Sequence, residues 1–479
     1  MDLASTTALR LRDALADGTV SAREAAEHYL RRIEELNPRL RSFVTVTADA
    51  ALEEAGRADQ AWAAARNAPG GRANPEPLPP LHGMPVAYKD LWEVAGVPTT
   101  FGSAAVPAQT AEADHAVPAR LRAAGAVSLG KTQIPEFGLN AYSENRIAPP
   151  ARNPLDPELT PGGSSGGTAA AVAAGMLPFS PGNDGGGSIR IPAAACGLVG
   201  LKPGFGTVPA DLVNGTEDQW GAPRLAVSGP IARNAADVAL LLDALVGDPG
   251  GDDAGAAPGV GRHLAAALRA DPGGGRPLRI GLSTRSPFDP YYPTALDADA
   301  GEALRRGVVL LERAGHHVED ADLRYDNRYA PAFQTIWTAG LAEAPIPTAG
   351  EPYLTRLARD FRDRAARTPA PQKESAARIL RKIAEDCRAQ WGRYDAVLTP
   401  ALAHLPPPIG YFTAHGADDD YRLQCLFTPF TSMVNVSGLP AAVLPTHTTA
   451  GGLSMGVQLI GRAGSEAFLL GLLAQLEGV

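Results

Sequence analysis

The sequence predicts an α/β protein, because segments with the 3.6-residue spacing of apolar side chains alternate with short apolar strands along the whole chain. A hydrophobic content of 45% against 20% charged residues marks a chain that folds throughout. Its 479 residues allow a sizeable core, in one large domain or in several.

A helix fits residues 5–16. Ser21 and Glu24 form a capping box, and Ala25, Ala26, Tyr29, Leu30 and Ile33 continue at helical spacing, so 21–36 is an amphipathic helix. Residues 42–47 alternate like a strand, 50–68 read as a third helix, and 69–80 are a Pro/Gly-rich connector. From Gly83 to about Pro209 the texture changes to short strands such as 126–129, glycine-rich turns, and a small-residue helix at 168–175. Residues 234–246 are helical, and 247–261 form a Gly/Asp/Ala/Pro surface loop. Strand 278–282, helix 300–314 and strand 396–398 follow, then strands 441–444 and 456–460 and helix 465–477.

A net charge of −9 argues against nucleic acid or an anionic membrane as partner, since both need a basic footprint. A small molecule is expected instead. Cys196, Cys387 and Cys425 lie far apart without zinc-ligand spacing, so they read as reduced, buried thiols, and no metal or cofactor is expected. Arg10, Arg12 and Asp13 interrupt the first apolar stretch, and no run approaches the ~20 apolar residues of a membrane span. The expected location is the cytoplasm. Of 43 cationic residues only five are lysines, at 89, 131, 202, 373 and 382. A lysine kept against that habit suggests a need to give up a proton near neutral pH, which arginine does not do.

Four motifs compete in the middle of the chain. Residues 125–132, from Gly125 to Lys131 and Thr132, match a phosphate-binding loop, but Ala126 to Leu129 read as a strand and Pro135 spoils the helix that should follow. Ser128 and Lys131 match an S-x-x-K pair, yet Gly130 after a strand keeps them from sharing one helical turn. Gly162, Ser164 and Gly166 match a G-x-S-x-G elbow, but residues 153–161 hold three prolines and two acids and cannot be the buried strand before it. That reading, an esterase using His404, His415 or His447, stays as an outside alternative. In the fourth motif Gly185, Gly186 and Gly187 precede Ser188, leaving the backbone N–H groups open to a substrate carbonyl, or simply making a tight turn.

Together, T-P-G-G-S-S-G-G at 160–167 and D-G-G-G-S-I-R-I-P at 184–192 resemble the amidase signature family. The segment L-H-G-M-P-V-A-Y-K-D at 81–90 is similar to the one that carries that family's lysine, and the likeness continues through 197–203, 437–441 and 456–462. The resemblance implies one amidase domain over 1–479 with a large mixed sheet surrounded by helices. Residues 1–80 would be an N-terminal helical layer, 81–210 the catalytic core, and 262–479 an αβ part lining the substrate pocket. It implies Ser188 as nucleophile, Ser164, after a cis peptide bond, as bridging serine, and Lys89 as base. The N–H groups of Gly185, Gly186, Gly187 and Ser188 would form an oxyanion hole, with Ser165, Arg190 and Asp184 in support. Most relatives carry Thr where this chain has Gly185.

A serine hydroxyl is a poor nucleophile at neutral pH, so Lys89 would have to be neutral to draw a proton through Ser164 from Ser188. Its apolar neighbours Met84, Val86, Ala87 and Leu91 suit the desolvation this requires. Tyr329, Phe333, Ile336, Trp337 and Gly340 share one helical face that could wall a hydrophobic site, or be ordinary core. The resemblance implies an amidase; Ile191 points to a free-standing one, monomeric or homodimeric, and that helical face to bulky or aryl amides, carbamates or nylon-type oligomers as substrates. The rival is the A-type subunit of glutamyl-tRNA amidotransferase, which carries Gln where this chain has Ile191. A silent binding protein on the same fold would not need the complete Ser188, Ser164 and Lys89 set.

Overall fold

The computed structural model describes residues 1–66, 78–247 and 260–479. Most of the expected connector at 69–80 and of the loop at 247–261 lies outside the described residues.

Ser21 closes its capping box with Glu24, and the helix runs Ala22–Leu40, past the predicted end, with Pro38 inside its last turn and Arg41 as a left-handed cap. The first helix is Ala8–Asp17 rather than 5–16: the Thr7 side chain caps it by accepting from the Arg10 N–H, while Asp2 holds Ser5 and Thr6 in a turn. Helix Ala48–Arg66 completes this N-terminal group.

Strand Val127–Thr132 is central to a three-stranded sheet, antiparallel to Phe43–Val46 and parallel to Pro85–Lys89. The phosphate-loop look-alike is therefore strand, and it extends through Gly130 and Lys131. An eight-stranded mixed sheet runs in the order His317–Asp320, Arg279–Leu282, Ala396–Pro400, Ser454–Ile460, Ala441–Thr448, Val199–Lys202, Val227–Ala232, Phe179–Asp184. Its first three strands are parallel and the remaining pairings antiparallel. The two sheets meet where the Ser180 hydroxyl donates to the Ala87 carbonyl at 2.6 Å. Strands such as Pro85–Lys89 and Val227–Ala232 are buried at every residue, so they carry no alternation for a sequence reading to detect.

Helices Ala235–Val246, Arg262–Arg269 and Glu466–Glu477 pack together over the main core. A second core gathers helices Tyr329–Ala339, Arg356–Arg367, Ala370–Trp391 and Ser432–Ser437 beside the site. Among the described residues no helix is long and apolar enough to cross a membrane. All three cysteines are buried and unpaired.

Candidate active site

Lys89 ends the buried strand Pro85–Lys89. Its Nζ donates to Ser164 Oγ at 2.7 Å and to the Asn183 carbonyl at 3.1 Å. Burial pulls its pKa down to about 7, against a smaller opposing pull from the Asp184 charge. The lysine is thus poised to be neutral just above neutrality.

Ser164 follows a cis Gly163–Ser164 peptide. Gly163 lies against Tyr142, whose backbone would be 2.5 Å from an added Cβ, so no larger residue fits there. Helix Gly166–Ala173 begins at once, but residues 153–161 before it form no strand, which removes the elbow reading. The Ser165 hydroxyl bridges the Asn183 N–H and carbonyl, and its N–H donates to the Ser188 carbonyl at 3.2 Å. Lys89 and Ser165 thereby converge on one carbonyl.

Strand Phe179–Asp184 delivers Asp184 to the base of the Gly185–Ser188 loop. Its carboxylate accepts from the N–H groups of Gly187 (2.7 Å) and Ile189 (3.1 Å), from Arg190 Nε and Nη2, and from Asn435 Nδ2. Burial raises its pKa, but the Arg190 guanidinium more than offsets this and holds the carboxyl well below the usual range. Arg190 also donates to the Gln458 side chain, the Asn435 side chain and the Thr431 carbonyl. The Thr431 hydroxyl donates to the Gly186 carbonyl at 2.6 Å. The Gly186–Gly187 peptide unit is therefore pinned at both ends. One consequence corrects the sequence expectation: the Gly187 N–H faces Asp184 and is not free for a substrate oxygen. The N–H groups of Gly185, Gly186 and Ser188 have no hydrogen-bond partner among the described residues. Gly187 has φ of 133°, and a Cβ there would lie 2.5 Å from Thr431 Oγ1.

Ser188, 7% exposed, sits between two cavities. One is a narrow, mostly apolar chamber of about 60 Å³ walled by Phe288, Phe333, Trp337, Phe361, Tyr421 and Cys425, with Asn140, Gln424, Thr428 and Ser432 also in its lining and no charged side chain there. The other is a wider cleft of about 490 Å³ that Ser164 also lines, with Asp211, Asp218 and Arg224 on its walls. Phe333 lines the chamber, Trp337 both cavities, and Ile336 and Gly340 the cleft. Tyr329 does not line either cavity. It is fully buried behind Phe333, stacked on it at 5.5 Å, with its hydroxyl paired to Ser432. A helical stripe longer than the cavity necessarily ends in core.

Thr431, Asn435 and Gln458 escaped the sequence reading. Gln458 falls inside a recognised motif and Asn435 two residues before another, but nothing local shows that they meet Arg190. Of the other lysines, Lys131 is buried in an ion pair with Asp90 at 2.9 Å, and Lys202 donates to the Pro203 carbonyl. Neither His404, His415 nor His447 lines a cavity with Ser188: His404 contacts the Leu405 carbonyl, His447 pairs with Asp299, and the His415 carbonyl accepts from Arg356.

The family model for amidases matches residues 24–470. AmiB2, a candidate amidase of Mycobacterium tuberculosis, is 38% identical over 99% of this chain and 96% of its own length. A glutamyl-tRNA(Gln) amidotransferase subunit of Acinetobacter baumannii is 32% identical over 99% and 96%. The structure of 6-aminohexanoate cyclic dimer hydrolase complexed with substrate superposes with a TM-score of 0.84 at 28% identity, covering 100% of this chain and 97% of that one. Fold and site together define a hydrolase of carbon–nitrogen bonds. The chain belongs to the amidase signature family.

Proposed function

We propose that the protein is a free-standing amidase working through a Ser188 acyl-enzyme, with Ser164 as the bridging hydroxyl and Lys89 as the base. The observation that carries this is the buried 2.7 Å contact from Lys89 Nζ to Ser164 Oγ, beside a cleft that Ser188 shares. Neutral Lys89 takes the Ser164 proton as Ser164 takes that of Ser188, and Ser188 Oγ attacks the amide carbon. The N–H groups of Gly185, Gly186 and Ser188 receive the developing oxyanion. Ser164 then protonates the departing nitrogen, which an amide requires because an amide anion leaves poorly. Water attacks the acyl-enzyme by the same relay and frees Ser188.

The amine leaves first, so it belongs in the wider cleft, while the acyl group that stays on Ser188 belongs in the apolar chamber. This supports substrates with an apolar acyl chain and an aryl or bulky amine, with carbamates and nylon-type oligomers of the same shape. An amidotransferase component remains the second reading, on the 32% relative and on the cleft, whose Asp211, Asp218 and Arg224 offer countercharge to the ammonium and carboxylate of an amino-acid donor, whereas the chamber carries no charge and suits an apolar acyl group.

A fluorophosphonate probe tests the assignment, with acyl para-nitroanilides as reporters in the presence and absence of ATP. Labelling and turnover should vanish in Ser188→Ala and be independent of ATP; labelling that survives Ser188→Ala sinks the nucleophile.

A further inference from the structure

Resting on the reading of Ser188 as nucleophile, we infer that Gly185 and Trp337 are a matched pair that decides which acyl groups the chamber admits. Trp337 lines both cavities, so its indole is the partition between them. A Cβ added at Gly185 would lie 3.3 Å from Trp337 Cζ3 and 3.4 Å from Cη2, and one at Gly186 would lie 3.5 Å from Cη2. The ring therefore lies directly over the loop that carries the free N–H groups. Gly185 is not among the residues with positive φ. Its backbone does not demand glycine, so what the glycine supplies is space, and the indole occupies it.

The ring has little freedom to retreat. It stacks on Phe333 at 5.6 Å and 19°, Phe333 stacks on Tyr329, and Phe288 meets both of those rings edge-on. The Tyr329 hydroxyl anchors the row to Ser432 at 2.7 Å. A threonine at 185 would add two atoms beyond a Cβ that is already tight, pressing on a ring with aromatic backing. Gly185 lines the cleft and Trp337 lines both cavities, so the room at Gly185 lets the indole stand as the wall that narrows the chamber, which favours an unbranched acyl chain over a branched one.

The test is a double-mutant cycle of Gly185→Thr and Trp337→Ala, read as kcat/KM on butyryl and pivaloyl para-nitroanilides. Wild type should favour the butyryl substrate. Trp337→Ala should shift the pivaloyl-to-butyryl ratio upward by about tenfold, the scale on which apolar pockets discriminate. Gly185→Thr should lose activity about tenfold beside Trp337 and far less in the Trp337→Ala background. Equal losses in both backgrounds, or an unchanged substrate ratio in Trp337→Ala, overturn the pairing. If Gly185→Thr does not fold, Gly185→Ala runs the same cycle with one methyl group. Fluorophosphonate labelling of Ser188 is read in every variant. Absent labelling in wild type defeats the nucleophile assignment, whereas intact labelling with additive effects defeats the pairing alone.

Discussion

The Lys89 side-chain nitrogen lies 2.7 Å from the Ser164 hydroxyl in a fully buried contact, and no ion pair among the described residues involves Lys89. A buried lysine without a carboxylate favours its neutral form.

Activity should therefore depend on pH through Lys89. Its pKa is lowered to about 7, and the neutral form is the competent base, so kcat/KM should climb through about pH 7 to a plateau above it. The limb should disappear with the activity in Lys89→Met. A profile that falls across pH 6–8 would count against Lys89 as the base.

The same lysine weakens the fold. Because its folded pKa lies below the unfolded value, the folded chain resists protonation there, and the penalty is full below about pH 7 and fades as pH rises toward that of a free lysine. Lys89→Met should raise the stability at pH 6–7 by on the order of a few kcal/mol, seen as a higher melting temperature, and the gain should shrink by pH 10. Thermal scans of both proteins across this range check the sign.

Thr431 acts on the loop at one remove, by holding the Gly186 carbonyl. Thr431→Val should lower kcat about tenfold with KM little changed, less than the loss of a direct oxyanion donor. Thr431→Ser, which keeps the hydroxyl, should recover most of it. Equal damage from both substitutions would mean that only packing matters there.

Lys131 and Asp90, the residue that follows Lys89, form a buried pair. Lys131→Met should destabilise by about 3–5 kcal/mol because it strands the Asp90 charge, while Lys131→Met with Asp90→Leu should restore much of that stability. Denaturant unfolding separates the two. ATP should protect neither wild type nor variant from unfolding, since residues 127–132 are strand.

Much of this was legible before folding. The Ser21 and Glu24 box marked its helix because capping is local chemistry, and Pro135 with the apolar run 126–129 was enough to reject a phosphate loop. Strand Phe179–Asp184, which holds Pro181 and Gly182, was not legible: it is the edge strand of the eight-stranded sheet, where a proline is tolerated, and it is buried along nearly its whole length, so it shows no period-two pattern. Tyr329 misled for the opposite reason: a helical face is continuous in sequence, but a cavity ends where the neighbouring element closes over it.

The sequence by itself determined the chemical parts: the glycines before Ser188, a second Gly/Ser segment at Ser164, and Lys89 kept in a chain whose usual cation is arginine. Only the tertiary structure decided how they face one another. Asp184 turns the Gly187 N–H away from the substrate side, Thr431 and Asn435 reach the loop from about 245 residues along the chain, and Trp337 fills the space that Gly185 leaves. Hydrogen bonds and van der Waals contacts act over a few ångströms in space whatever the sequence separation, so a local pattern names the groups, and packing alone sets their partners.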